Sequence, residues 1–156
     1  MKKKYLALMW GVPEQRDGTV DAPIGRHPRN RQKFSVVESG RSALTRYGVV
    51  EEFDHLSLVE LHPETGRTHQ LRVHLAFMGH PVFADEVYGG GLSKVRGFLK
   101  ETQRSLKSLY SLIHRQALHA LSLSFTHPSS GEKMEFVAPL PNDLSTVISE
   151  LEPKDE

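Results

Sequence analysis

Glu60-Leu61-His62-Pro63-Glu64-Thr65-Gly66-Arg67-Thr68-His69-Gln70-Leu71-Arg72-Val73-His74-Leu75 changes its hydrophobic period partway along. On its upstream side, Ala43 to Phe53 and His55 to His62 are rich in Val, Leu, Thr and aromatic residues, and they read as paired strands turning near Asp54. After Thr65-Gly66-Arg67-Thr68, Leu71, Leu75 and Met78 recur at i, i+4 and i+7, the spacing of one helix face. Thr68 is the candidate N-cap, and Gly79 followed by Pro81 the candidate stop. Arg67, Thr68, His69, Gln70 and Arg72 join the helix N-terminal amides in a cluster of donors suited to an anion or carboxylate. The same residues equally describe a well-capped, solvated helix start. Arg72 stands between two apolar positions beside the Leu71-Leu75-Met78 stripe, where an arginine needs a carboxylate partner.

Outward from that stretch, Lys3 to Trp10 reads as a strand, with Lys3, Tyr5, Ala7 and Met9 on one face. Pro23-Ile24-Gly25-Arg26-His27-Pro28-Arg29-Asn30-Arg31-Gln32-Lys33 has two prolines, a glycine and no acid, and reads as a basic loop. Leu92 to Ile113 follows the break at Tyr88-Gly89-Gly90-Gly91 and reads as mostly helical, with Lys94, Arg96, Lys100, Arg104 and Lys107 on a solvated side. Leu118 to Phe125 alternates as a half-buried strand, and Lys133 to Ala138 completes a hairpin with it. Asn142 or Asp143 caps a closing helix that runs to about Leu151. The order of strands and helices predicts one α+β domain over 1–156.

The composition fits that reading: 156 residues, 38% hydrophobic and 25% charged, with a mean hydropathy of -0.41. A chain of this length can bury roughly 70% of its unfolded surface in one core. No apolar run approaches the ~20 residues of a membrane span, and the basic start lacks a signal-peptide cleavage site. Zero cysteines exclude disulfides, thiolate ligands and thiol nucleophiles and suit a reducing cytoplasm. The net charge of +1 hides an asymmetry: 18 of the 20 Lys and Arg, but 12 of the 19 Asp and Glu, precede Glu132. A basic body of this kind points to a polyanionic partner.

The nine histidines do not make a metal site. His69 and His74 are five apart, roughly 140° around a helix, with no HExxH pattern, and no carboxylate stands at ligand spacing. GxGxxG, GxxxxGK[ST] and GxSxG are also absent, which disfavours dinucleotide-binding, P-loop and hydrolase chemistry.

Glu60 to Gly90, E-L-H-P-E-T-G-R-T-H-Q-L-R-V-H-L-A-F-M-G-H-P-V-F-A-D-E-V-Y-G-G, closely resembles the third signature block of the RluA-type RNA pseudouridine synthases. Lys3-Lys4-Tyr5-Leu6-Ala7-Leu8, the Pro23 to Pro28 loop, Arg115 to Ala120 and Phe125-Thr126-His127-Pro128 match in the same order, so the similarity runs from about Lys3 to Leu144. The resemblance implies a pseudouridine synthase core: a mixed, mostly antiparallel sheet flanked by helices around a central cleft. It also implies cofactor-free isomerisation of a flipped-out uridine in ribosomal or transfer RNA, with an aspartate as nucleophile.

Carried over by that resemblance, Tyr5 is the active-site tyrosine that packs on the base and is the candidate to remove the C5 proton. Ala7 leaves space beside it, and Leu71 packs near the pocket. Arg72 is the basic residue that keeps the catalytic aspartate ionised and oriented. Arg67 and Gln70 are phosphate or support contacts, while Lys3, Arg26, Arg29, Arg31 and Lys33 contact the RNA backbone. His80 and Asp85 read as structural.

The family's nucleophile sits in an H-R-L-D-x-x-T-S-G block ahead of K-x-Y-x-A. None of Asp17, Asp21, Asp54, Asp85, Asp143 and Asp155 stands in such a block. The expectation is therefore an N-terminally truncated catalytic domain, inactive alone, with self-association through exposed sheet edges. A catalytically dead RNA-binding module is the alternative.

Overall fold

The computed structural model describes residues 1–153; Asp155 of the acidic tail lies outside them. Five of the eight strands come first: β1 (Lys2–Trp10), β2 (Asp17–Asp21), β3 (Ile24–Arg26), β4 (Phe34–Val36) and β5 (Leu44–Glu52). β6 (Leu56–Pro63), α1 (Gln70–Phe77), α2 (Lys100–Tyr110), β7 (Leu118–Thr126), β8 (Lys133–Val137) and α3 (Asn142–Glu150) follow. Six strands form one sheet in the order β2-β5-β6-β1-β7-β8. Every pairing among the described strands is antiparallel, the strict form of the mostly antiparallel sheet expected.

β1 occupies the middle because its second half is apolar on both faces. Ala7, Leu8 and Met9 have no exposed surface, which a strand covered on one side would not require. They pack with Phe53, Leu56, Val59, Leu61, Leu75, Val82, Phe83, Ile113 and Leu144 in one core. The first half of β1 runs out toward solvent, with Tyr5 at the last pairing to β6, opposite Leu61, and Lys3 beyond it. Tyr5 sits where the β1–β7 register slips between Lys4 and Tyr5, a bulge that twists the ladder and re-aims neighbouring side chains.

Three expectations are corrected. The basic loop is partly a strand, since Ile24 to Arg26 pairs with Phe34 to Val36 in a separate two-stranded sheet. Ile24 is anchored there with Ala43 and Val73 in a second small core. Leu92 to Ile113 is not one helix: a 3-10 turn over Leu92–Val95 stops before Gly97, whose φ of +88° breaks the run, and α2 begins at Lys100. Neither Thr68 nor Asn142 nor Asp143 caps a helix. His69 and Pro141 occupy the cap positions without side-chain cap bonds, and Asp143 instead pairs with Arg115 at 3.0 Å.

Candidate functional site

The ends of β6 and β1, the start of β7 and the first turn of α1 enclose an open cleft of about 400 Å³. Lys3, Tyr5, Arg67, His69, Leu71 and Arg72 line it, together with Pro63, Thr65, Gly66, Gln70, Gln116 and Leu118. No carboxylate is among the lining residues. The cleft therefore presents three cationic side chains around a tyrosine ring and a leucine, a combination suited to a planar base with an anionic backbone.

Arg72 is the best-fixed of these groups. Its Nε and Nη2 donate to the two oxygens of Asp85 at 2.8 and 2.9 Å, and Asp85 is only 2% exposed. The guanidinium lies over the Tyr88 ring, 4.9 Å from its centroid, a cation–π contact. Hydrogen bonding to Asp85 raises the Arg72 pKa further above its usual value. Its Nη1 has no partner among the described residues, leaving two donors for whatever enters the cleft. Asp85 is thus a buried, ion-paired residue and the carboxylate that Arg72 requires.

Two non-glycine residues among the described ones have left-handed backbones: His69 (φ 55°) and Ala84 (φ 67°). One stands three residues before Arg72, the other directly before Asp85. Each costs about 1 kcal/mol or more, and both aim the same ion pair. Gly90 closes the Asp85 loop, since a Cβ there would lie 1.8 Å from the Val82 carbonyl oxygen.

A buried polar chain holds the Thr65 to Arg67 loop against α1. Gln70 Oε1 accepts from Thr65 Oγ1 and the Arg67 amide, and its Nε2 donates to the Leu44 carbonyl and Thr45 Oγ1. Thr45 Oγ1 donates to His74 Nδ1 at 2.7 Å, and His74 Nε2 donates to the Ala22 carbonyl at 2.9 Å. These partners fix the neutral Nε2–H tautomer, and burial lowers the His74 pKa. Desolvation and the nearby Arg72 charge lower that of His69 as well.

The expected site residues do not all meet. Tyr5, Arg72, Lys3, Arg67, Leu71 and Gln70 line the cleft. Gln70 is 4% exposed with its amide fully used, so it supports the loop and has nothing left for a phosphate. Ala7 is wholly buried inside the sheet and is not part of the cleft wall. Arg26, Arg29, Arg31 and Lys33 stand apart on the β3–β4 arm. That arm is wired to the cleft through a run of contacts: Arg26 over Phe34 (5.1 Å), Phe34 on His69 (5.7 Å), His69 on Tyr88 (5.6 Å), then Arg72. Tyr88 hydroxyl accepts from the Phe34 amide and donates to His69 Nδ1 when that imidazole is neutral. Tyr88 and Gln116 received no role from the sequence; Tyr88 carries a signal in hindsight, an aromatic three residues after the acid that Arg72 needs.

No group of three or more metal-ligating side chains occurs among the described residues, and no helix is long and apolar enough to cross a membrane. The family model described as RNA pseudouridylate synthase matches residues 1–77, the segment that brings Lys3, Tyr5, Arg67 and Arg72 to the cleft. An RNA pseudouridine synthase of Chlorobaculum parvum is 40% identical over 97% of this chain and 47% of its own length. Ribosomal large subunit pseudouridine synthase D of Nitrosomonas europaea is 43% identical over 95% of this chain and 40% of its own length. The chain thus spans under half the length of these curated relatives. The structure of human RNA pseudouridylate synthase domain containing 1 superposes with a TM-score of 0.73 at 30% identity, covering 98% of this chain and 60% of that one. Sequence similarity along nearly the whole chain and the superposition of the backbone agree, and the chain belongs to the RNA pseudouridine synthase family.

Proposed function

We propose that this chain forms the base-binding and backbone-binding half of a site that isomerises uridine to pseudouridine in RNA. The observation that carries this reading is the cleft itself, a tyrosine and a leucine ringed by Lys3, Arg67 and Arg72 with no acid on its wall. In the reaction the N1–C1′ bond breaks, the base turns, C5 bonds to C1′, the C5 proton leaves and N1 is protonated, so the atoms balance without a cofactor. Tyr5 packs on the base and takes the C5 proton. Arg72, held from behind by Asp85, offers Nη1 to the carboxylate of the nucleophile.

That nucleophile comes from outside the described residues. Asp17, Asp21 and Asp54 are exposed away from the cleft, while Asp85 and Asp143 are each held by an arginine. The chain alone is therefore an incomplete catalytic domain and inactive. Ribosomal or transfer RNA in the cytoplasm is the substrate, with Arg26, Arg29, Arg31 and Lys33 on its backbone. Copies of the chain associate through the β8 edge, where Phe136 and Val137 are 54% and 64% exposed.

Equilibrium binding to a uridine-containing single strand at several salt concentrations tests the RNA surface. Affinity should fall with salt, and Lys3→Ala with Arg67→Ala should flatten the log–log slope by roughly 0.7 for each lost phosphate contact. A slope unchanged by both substitutions would contradict the assignment of the cleft.

A further inference from the structure

A second open groove, about 540 Å³, lies on the far side of the His69–Tyr88 pair from the cleft. Its apolar wall includes Phe77 and Val87, 60% and 50% exposed, together with Phe34 and Tyr88. An exposed phenylalanine beside an exposed valine forfeits burial worth about 25 cal/mol per Å² of apolar surface, and together with two more aromatic rings it is more than scatter. Lys33 stands at the rim beside His27, on the arm that also carries Arg29 and Arg31, and neither Lys33 nor either arginine is in an ion pair among the described residues. One acid, Glu86, also stands at the groove, exposed and accepting a hydrogen bond from the Tyr110 hydroxyl.

We propose that this groove seats an unpaired nucleobase of the same RNA strand, flanking the uridine held in the cleft. Apolar and aromatic walls with a cationic rim are the recurring chemistry of single-stranded nucleic-acid subsites, where a base stacks and a phosphate meets a lysine or arginine. A basic rim favours a polyanion over an apolar protein segment. The wall between the two cavities is one ring pair thick, with His69 facing the cleft and Tyr88 the groove, joined at 2.7 Å. A strand crossing it would place one base on each side, and the Phe34 amide bonded to the Tyr88 hydroxyl at 3.1 Å ties the basic arm to that crossing. The proposal rests on the RNA-binding reading of the cleft.

The test uses the full chain and a single-stranded oligonucleotide carrying 5-iodouridine at successive positions. Irradiation should cross-link one position to Phe77 or Tyr88. Phe77→Ala should weaken binding roughly five- to hundredfold, the range for losing one stacking contact, with the salt slope unchanged because no charge is lost. Val87→Glu, also at an exposed site, should weaken binding as well. Normal affinity in both variants, with no cross-link in the groove, would overturn the subsite while leaving the cleft reading intact. Failure of the unaltered chain to bind RNA at low salt would remove both. A fall in self-association on Phe77→Ala with RNA affinity unchanged would make the groove an interface between copies and overturn the proposal.

Discussion

Around α1 the molecule closes on itself: Gln70 and His74 are buried with all their polar atoms bonded, and Asp85 is locked to Arg72. Along the β7–β8 hairpin the side chains are half-buried or exposed, and Phe125 and Phe136 stack on each other at 6.1 Å near the sheet edge. Both regions border β1 or the strands beside it, yet one is buried with its polar atoms bonded and the other stays open to solvent. The difference teaches where the cost of building the site is borne. Left-handed His69 and Ala84 and a buried ion pair are tolerable only where the surroundings over-determine them, and the α1 side does so.

Substitutions should separate the two regions sharply. The largest effect is expected from Asp85→Ala, which leaves Arg72 charged, mostly buried and unpaired, for a loss of about 3–5 kcal/mol by urea unfolding. A loss under about 1 kcal/mol would mean that Arg72 simply swings to solvent. Next comes Thr45→Val, which keeps shape but removes the hydroxyl between Gln70 and His74. About 1–3 kcal/mol should go, since two buried groups lose a partner.

Acid should act on the same side. The His74 and His69 pKa values are lowered in the folded state, so the unfolded chain binds protons first as pH drops. Their stabilising contribution is complete above the unfolded value near 6.5 and is lost as pH falls below it toward the folded values. The urea midpoint should fall between about pH 7 and pH 5.5, with His74 keeping its neutral Nε2–H tautomer by NMR over the upper part of that range; a midpoint that rose with acid would have the sign wrong. The smallest effect is expected in the hairpin: Phe136→Ser should change stability by no more than about 0.5 kcal/mol while reducing self-association in sedimentation.

The same contrast explains what the sequence made legible. The Val-, Leu-, Thr- and aromatic-rich composition of β5 and β6, the helix stripe and the Arg72 need for a carboxylate are local patterns, and each appears in the structure within a residue or two. The β3–β4 pairing was hidden because a three-residue strand in a proline-rich basic segment has no periodic signal; Tyr88, Val73 and Ala43 hold it from far along the chain. Thr68 looked like a cap by residue type, but the buried Gln70 side chain takes the loop donors and pushes the cap position onto left-handed His69. Tyr88 and the shared wall between cleft and groove depend on contacts across 19 to 54 residues, beyond what spacing can report. Between the phosphate and support roles left open for Gln70, the choice turns on its burial against Leu44 and Thr45, which are distant in sequence.

The central claim is that this chain holds the base-binding half of an isomerising site and leaves the nucleophile to be supplied. Tritium release from RNA labelled at uridine C5 tests it directly, with the 156-residue chain assayed beside a form extended through its upstream coding sequence. The account predicts release by an extended form that carries an H-R-L-D block, and none by the 156-residue chain. Release by the 156-residue chain itself would contradict it and would point to Asp85, the carboxylate nearest Arg72, as the nucleophile.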